Sequence, residues 1–223
     1  MKIRVLLVDD HNIVREGLRV LLNASEKVEV VGEVADGREA VRKVQELEPD
    51  VVVMDIAMPM LNGAEATRQI LNSCPQVKVL ILSSYSNGEQ IQWLIGAGIS
   101  GYVVKASATQ ELLKAIQAVH EGGAFFSPAI AKEFIDQATQ RTGALPVRRE
   151  GENALTSRET EVWQLVAEGH ANKQIADILE LSIKTVEKHR QNLMMKLKLH
   201  CTASLTRRAV DSGVVENQRS PLQ

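Results

Sequence analysis

A run of four apolar residues followed by an aspartate, Val51–Met54 and Asp55, most constrains how this chain can fold. An uninterrupted apolar run of this length is typical of a strand buried on both faces of a parallel sheet. Pro59 cannot extend a strand ladder, so a loop begins there. Ligands bind beyond the carboxyl ends of parallel strands, which puts Asp55 at a site position. A second interpretation, that Asp55 caps the following turn, fits this stretch equally well.

Apolar runs recur about every 25 residues along the first half of the chain. They occupy residues 5–8, 28–34, 51–54, 77–82 and 102–104. Segments with helical spacing of apolar residues lie between them. Strands that alternate with helices indicate βαβ units and a parallel sheet covered on both faces. We therefore predict an α/β doubly wound (βα)5 domain that ends near residue 122.

Polar side chains follow four of these predicted strands at the point where each strand ends. They are Asp9, Asp10, Asp55, Ser83, Ser84 and Lys105. All of them open onto one edge of a parallel sheet, so three carboxylates, a hydroxyl and an ammonium can converge. Clustered carboxylates repel one another unless a cation neutralises them, and Mg²⁺ prefers oxygen ligands.

A cluster of this composition can accept a phosphoryl group. Asp55 is suited to be the nucleophile beside Mg²⁺, while Lys105 stabilises charge on the transferring oxygens and Ser83 bonds the product phosphate. Taken singly, Lys105 is better explained as a surface charge and Ser83 as a strand-end cap. Their joint occurrence at the strand ends favours phosphoryl transfer.

Four motifs together resemble the receiver domain of two-component response regulators. They are Val-Asp-Asp-His at 8–11, Met-Asp-Ile-Ala-Met-Pro at 54–59, Leu-Ser-Ser-Tyr at 82–85 and Gly-Tyr-Val-Val-Lys at 101–105. The resemblance covers about residues 1–122 and implies a flavodoxin-like fold. One departure is Ala106, where many receivers have a proline after the lysine.

The resemblance implies a role for each residue at the sheet edge. Asp55 becomes the phosphoacceptor, Asp10 a direct Mg²⁺ ligand, Asp9 a largely water-mediated one, and Asp55 and the Ala57 carbonyl further ligands; Lys105 becomes the phosphate partner, Ser83 the switch hydroxyl and Tyr102 the rotating switch aromatic. Phosphate adds charge and acceptor oxygens, which would draw in Ser83 and Lys105. Tyr102 would then swing, and the surface of residues 88–95 and 102–119 would repack. Tyr102 also fits a plain core aromatic.

The chain divides near a segment without periodicity. Residues 142–153 contain glycines, a proline and mixed charges, which predicts a linker. We assign residues 1–122 to the receiver, 123–152 to a connector with a short amphipathic helix at 129–138, 153–216 to a second domain and 217–223 to a disordered tail. Residues 1–152 carry 16 basic and 20 acidic side chains, and residues 153–223 carry 10 and 8. This modest asymmetry does not by itself indicate nucleic acid.

The cysteines and the apolar runs bear on the compartment. Cys74 and Cys201 lack metal-ligand spacing, which indicates two free thiols in a reducing cytosol. The apolar stretch near Met1 is too short for a signal peptide, and no run approaches the ~20 residues of a membrane span. We expect a cytoplasmic protein with no membrane partner.

The second half predicts a small all-α helix-turn-helix domain. Thr156-Ser157-Arg158-Glu159 is a capping box that opens a helix ended by Gly169. A short helix at about 172–179 and a tight turn follow, and Ser182 is placed to cap the next helix. The second helix of such a pair normally enters the major groove of DNA.

The helix predicted at 183–197 has an apolar face and a polar face. Val186, Leu193 and Leu197 share one side, and the other carries Lys184, Lys188, Gln191 and, at its margin, Asn192. Lysine can bond phosphate or guanine, and Gln or Asn can pair with adenine. Taken alone, a solvated helix face explains this stripe at least as well.

Motifs at 155–159, 172–176 and 181–189 resemble the LuxR-type DNA-binding domain. Joined to a receiver, they resemble the NarL/FixJ family of response regulators. The resemblance implies DNA contacts at Lys184, Thr185, Lys188, Gln191 and Asn192, with Thr185 at phosphate, and a dimer contact on the last helix, about 202–212, at Leu205 and Ala209. Packing of that helix against its own domain is the alternative.

Two residues depart from the LuxR-type pattern. Glu187 replaces a common lysine, so it would repel phosphate or accept a hydrogen bond from cytosine. Glu180 occupies a turn position where relatives often have Gly, which implies strain of ~1–2 kcal/mol if its φ is positive.

These observations predict a transcription factor controlled by phosphorylation. A sensor histidine kinase or a small phosphodonor would phosphorylate Asp55, and the protein would then bind double-stranded DNA as a homodimer. An Asp-dependent phosphatase would usually need a second carboxylate where Ala57 stands, and a flavin carrier would need a phosphate-binding loop where Asp9 and Asp10 stand. A constitutive DNA binder with a non-switching receiver is the remaining alternative.

Overall fold

The computed structural model describes residues 2–84, 91, 94–132 and 155–215 of the 223-residue chain. The first domain contains strands β1 (Ile3–Val8), β2 (Val28–Val34), β3 (Val51–Met54), β4 (Lys78–Ser83), β5 (Gly101–Val104) and β6 (Phe125–Phe126), and helices α1 (Asn12–Asn23), α2 (Gly37–Leu47), α3 (Gly63–Ser73) and α4 (Ala108–His120). The strands pair in parallel in the order β2-β1-β3-β4-β5-β6. The doubly wound α/β prediction is therefore confirmed.

The apolar runs become the buried strands of the sheet. Every residue of β3 is buried, and β1 and β4 are nearly so. Side chains alternate between two clusters, one on each face: Val52 and Met54 belong to one, and Val51 and Val53 to the other. Because both faces are covered, Asp55 can leave the core only beyond the end of β3.

The sixth strand extends the sheet beyond the predicted end of the receiver. Phe125 and Phe126 pair with Gly101 and Tyr102, and the Ser127 amide donates to the Tyr102 carbonyl at 2.9 Å. Ile130 is fully buried in the same apolar cluster as Tyr102. Residues 125–130, which the sequence assigned to the connector, therefore pack on the receiver.

The second domain is helical. It comprises α5 (Ser157–Ala167), α6 (Asn172–Leu179), α7 (Ile183–Leu197) and α8 (Thr202–Asp211). Thr156 and Glu159 form the predicted capping box, and Ser182 caps α7 through the Thr185 amide. Val162, Val186 and Leu193 lie in its core. This arrangement confirms the helix-turn-helix prediction.

The turn between α6 and α7 has a left-handed residue. Glu180 ends α6 with φ +55° and ψ +44°, and Lys198 ends α7 with nearly the same angles, φ +56° and ψ +43°. Both are non-glycine residues in a region that favours glycine. The condition for strain at Glu180 is therefore met.

Some sequence-based predictions fall on other parts of the chain. The linker at 142–153, the tail at 217–223 and residues 133–138 of the predicted connector helix lie outside the described residues, as do residues 88–90, 92 and 93. Ile91 and residues 94–96 are helical, as predicted. Cys74 and Cys201 are free thiols. Among the described helices, none has the length and apolarity needed to cross a bilayer.

Candidate functional site

Asp55 lies at the carboxyl edge of the sheet, directly beyond β3. Its amide donates to the Val8 carbonyl at 2.8 Å, which continues the pairing of β3 with β1. Its side chain is almost buried, and Oδ1 accepts a hydrogen bond from the Ile56 amide at 2.8 Å. The backbone on both sides of the carboxylate is therefore fixed, and one oxygen, Oδ2, is left for other partners.

Lys105 joins two of the carboxylates. It follows β5, and its Nζ lies 2.7 Å from both Asp9 Oδ2 and Asp55 Oδ2. Burial raises the pKa of Asp55 to about 6, although Lys105 acts in the opposite direction. Burial alone would lower the pKa of Lys105, but the hydrogen bonds and charges of the two carboxylates raise it. The predicted convergence of Asp9, Asp55 and Lys105 is present in the structure.

The same edge holds a compact group of possible metal ligands. Asp9, Asp10, His11 and Asp55 each offer one ligand atom, and these atoms lie within 4.8 Å of one another. Three of them are carboxylate oxygens, the donors that Mg²⁺ prefers, so the residues fit such an ion. His11 was missed by sequence reasoning; its Nδ1 lies 2.8 Å from Asp10 Oδ1.

The two predicted switch residues are buried. Ser83 ends β4 and is fully buried, and Tyr102 in β5 is 1% exposed within a core cluster. Tyr102 and Val104 both bond Ser127 of the connector. The Ser127 amide donates to the Tyr102 carbonyl at 2.9 Å, and Ser127 Oγ accepts from the Val104 amide at 3.2 Å. The burial of Tyr102 is compatible with both the switch and the core interpretation.

The loop that follows Asp55, residues 55–62, is here called the Asp55 loop. Its end is fixed by the Gly63 amide, which donates to the Ile56 carbonyl at 2.8 Å. A Cβ on Gly63 would overlap the Asp55 carbonyl oxygen, so only glycine fits there. Met60 has φ +68°, and its side chain packs against the core of the second domain. The loop is therefore tightly packed against the start of α3.

The predicted DNA-contacting residues lie on α7 with different exposures. Lys184, Lys188 and Gln191 are exposed, while Thr185 and Asn192 are half-buried. Thr185 Oγ1 lies 2.8 Å from Ser182 Oγ. The structure thus presents an exposed stripe of two lysines and a glutamine on one helix face.

The last helix differs from the prediction for a dimer contact. Leu205 and Ala209 are fully buried in the core of their own domain, and the Leu205 carbonyl accepts a hydrogen bond from Trp163 Nε1 at 3.0 Å. These two side chains cannot meet a partner, so their assignment to a dimer contact is corrected. The exposed residues of α8 are instead Thr202, Ala203, Arg207, Arg208 and Asp211.

The two domains contact each other through α5 and, at Ile178, through α6. Gln69 Nε2 in α3 donates to Glu161 Oε1 at 2.9 Å, Arg68 bonds Ser157, and Arg38 donates to the Ile178 carbonyl. Gln164 of α5 and Glu168, the residue that follows α5, reach the Asp55 loop itself. Sequence reasoning missed these residues, because a polar residue inside a short helix carries no signal of a partner about 100 positions away.

Comparison with known families agrees with the two domains. Residues 5–117 match the response regulator receiver domain, and residues 153–209 match the luxR family of bacterial regulatory proteins. The receiver match alone spans about half of the chain. The chain belongs to the two-component response regulators. The regulator is a DNA-binding transcription regulator and not an enzyme, and the constitutive alternative is not favoured.

Individual relatives support the same assignment over nearly the full length. The regulator is 36% identical to the response regulator protein VraR of Staphylococcus aureus over 199 residues, covering 89% of this chain and 92% of VraR. Among solved structures, a LuxR-family response regulator from Aurantimonas is 40% identical, with a TM-score of 0.60, over 62% of this chain and 99% of that one. RcsB of Salmonella typhimurium is 27% identical, with a TM-score of 0.58, over 94% of this chain and 99% of that one.

Proposed function

We propose that phosphorylation of Asp55 controls DNA binding by this regulator. The observation that carries the proposal is the Lys105 ammonium, which lies 2.7 Å from both Asp9 and Asp55 at the edge of the sheet. A phosphoryl group on Asp55 Oδ2 would displace the carboxylate from this ion pair and offer its own oxygens to Lys105. The buried Ser83 hydroxyl and Tyr102 ring would adjust to the new group.

Mg²⁺ is the proposed cofactor. Asp10, Asp9, Asp55 and the Ala57 carbonyl would hold it, and when bound it would neutralise charge on the transferring oxygens. Lys105 pairs with two of the three carboxylates and so offsets part of their mutual repulsion. The phosphoryl donor would be a sensor histidine kinase or a small acyl phosphate, and the expected location is the cytoplasm.

The proposed DNA contacts are the exposed residues Lys184, Lys188 and Gln191 of α7, with Asn192 at the margin of this stripe and Thr185 at phosphate. RcsB structures include a DNA complex and two RcsB dimers bound to two parallel DNAs. We extend this to the regulator as a homodimer on double-stranded DNA. Because Leu205 and Ala209 are buried, any contact made by α8 would use its exposed residues.

The test measures affinity for DNA sites selected from a random pool, at fixed salt, with and without a small acyl phosphate and Mg²⁺. We expect the donor to tighten binding of the wild type but not of Asp55→Ala. Lys188→Ala should weaken binding in both conditions and reduce the salt dependence by about one charge. Equal binding by wild type and Asp55→Ala in all conditions would show that phosphorylation does not control DNA binding.

A further inference from the structure

Two side chains of the DNA-binding domain hold three alternate residues of the Asp55 loop. Gln164 Nε2 donates to the Met58 carbonyl at 2.9 Å, and its Oε1 accepts from the Asn62 amide at 2.7 Å. Glu168 Oε1 accepts from the Met60 amide at 3.1 Å. We call this set of contacts the α5 clamp. It holds the backbone that begins one residue after Ala57, the proposed carbonyl ligand.

The Gln164 amide is fully satisfied by this arrangement. Besides the bonds to Met58 and the Asn62 amide, it accepts from Asn62 Nδ2 at 3.0 Å and donates to Glu168 Oε1 at 2.8 Å. Gln164 is 1% exposed. A buried amide with all its hydrogen-bonding groups paired fixes the geometry of its partners, since leaving one of them unpaired is costly.

The clamp also reaches the start of α3. Asn62 caps this helix, because its Oδ1 accepts from the Glu65 amide at 2.9 Å while its Nδ2 donates to Gln164. The Gly63 amide ties the same segment back to Ile56. Movement of the loop towards a bound phosphoryl group or cation would therefore strain or break the bonds made by Gln164.

The contact between the domains leaves the exposed stripe of α7 uncovered. Lys184, Lys188 and Gln191 are exposed while α5 lies on the Asp55 loop. Among the described residues, the receiver therefore does not cover the exposed stripe of α7. The contact between the domains instead acts on the loop that carries the acceptor.

We propose that Gln164 is a positioning residue of the phosphorylation site: through the α5 clamp, the docked DNA-binding domain holds the Asp55 loop in a geometry that resists phosphorylation. This inference rests on the proposed phosphorylation of Asp55. If the phosphorylated loop cannot keep the clamp, phosphorylation weakens docking, and by linkage docking disfavours phosphorylation by the same factor at equilibrium. The DNA-binding domain then controls its own receiver.

The test compares full-length wild type, Gln164→Ala and Gln69→Ala, each incubated with a small acyl phosphate at fixed Mg²⁺. Phosphorylation is followed by phosphate-affinity electrophoresis, and amide hydrogen exchange is followed in residues 56–65. Because the clamp must open before the Asp55 loop can close on the phosphoryl group, loss of the two Gln164 bonds to the loop should let Gln164→Ala reach its phosphorylated form about tenfold faster. Exchange in the loop should also be faster, because the Asn62 amide loses its acceptor.

The matched control separates loss of the clamp from loss of a single interdomain contact that leaves the clamp and the docked arrangement in place. Gln69→Ala removes a contact at the same interface, to Glu161, that does not touch the Asp55 loop. It should be phosphorylated within about twofold of the wild-type rate. A variant that had merely lost stability would be phosphorylated less, so a gain in rate is specific.

Three results would count against the clamp. Gln164→Ala phosphorylated no faster than wild type would overturn it, as would an equal acceleration by Gln69→Ala or unchanged exchange in residues 56–65. Failure of the phosphorylation on which the proposed function rests looks different, since neither wild type nor any variant would then be phosphorylated. Failure of its control over DNA binding is read separately, from equal DNA affinity of wild type and Asp55→Ala.

Discussion

Replacement of Glu180 by glycine should stabilise the DNA-binding domain. Glu180 has φ +55° and ψ +44° at the end of α6, where its amide bonds the carbonyls of Ala176 and Asp177. A residue with a Cβ costs about 1–2 kcal/mol in this left-handed region. Glycine removes that cost but gives the unfolded chain more freedom, which opposes it by about 0.5–1 kcal/mol. Taken from the middle of the two ranges, the expected net gain is about 0.5–1 kcal/mol.

For a domain of about 60 residues, this gain corresponds to a rise in Tm of about 2–8 °C. Unfolding can be followed by the fluorescence of Trp163, which is almost buried and hydrogen-bonded to the Leu205 carbonyl. A Trp93→Phe background leaves Trp163 as the only one of the chain's two tryptophans. DNA affinity should not change, because the exposed stripe of α7 is untouched.

The control is Glu180→Ala, which removes the carboxylate but keeps the Cβ. The difference between the Gly and Ala variants therefore isolates the backbone cost. Lys198→Gly provides an independent repeat, since Lys198 has nearly the same angles at the end of α7. If Glu180→Gly melts no higher than Glu180→Ala, the assignment of backbone strain to this turn is refuted.

Two further perturbations follow from the packing and the charges. Gly63→Ala should lower the free energy of unfolding of the receiver by about 2–3 kcal/mol, because the new Cβ overlaps the Asp55 carbonyl oxygen. Gly17→Ala is the control: a Cβ there meets nothing within 4 Å, so urea unfolding should show no loss of stability. Burial alone would raise the pKa of Glu159, but Lys196, at 2.7 Å, contributes to a net lowering, so the folded state binds this proton less tightly than the unfolded state. The stability that this ion pair contributes is present above about pH 4.5 and is lost as the pH falls. The free energy of unfolding of Glu159→Gln should therefore depend less steeply on pH in acid. An unchanged pH dependence would contradict the role of this ion pair.

The sequence predicts the receiver well because its signals are local. The apolar run of β3 and the loop residues after it place Asp55 at a strand end, and the parallel topology then brings Asp9 and Lys105 to the same edge. The capping box at Thr156 and Glu159 is likewise set by residues three positions apart. Each of these features follows from a short stretch and a general rule of α/β sheets.

The contacts that the sequence does not reveal are long-range. Leu205 and Ala209 form an apolar stripe on α8, and periodicity cannot distinguish a stripe that packs on its own domain from one that packs on a partner. Gln164 lies between Trp163 and Leu165 in a short helix, where its spacing indicates neither burial nor a partner. Its partners, Met58 and Asn62, lie in the other domain.

The two-residue strand β6 sets a practical limit on how the chain can be divided. A fragment ending at Gly122 would lack Phe125, Phe126 and Ile130. The edge of β5 would then expose backbone groups that now pair, and the apolar cluster around Tyr102 would open to water. We expect such a fragment to aggregate, so an isolated receiver should extend at least to residue 132.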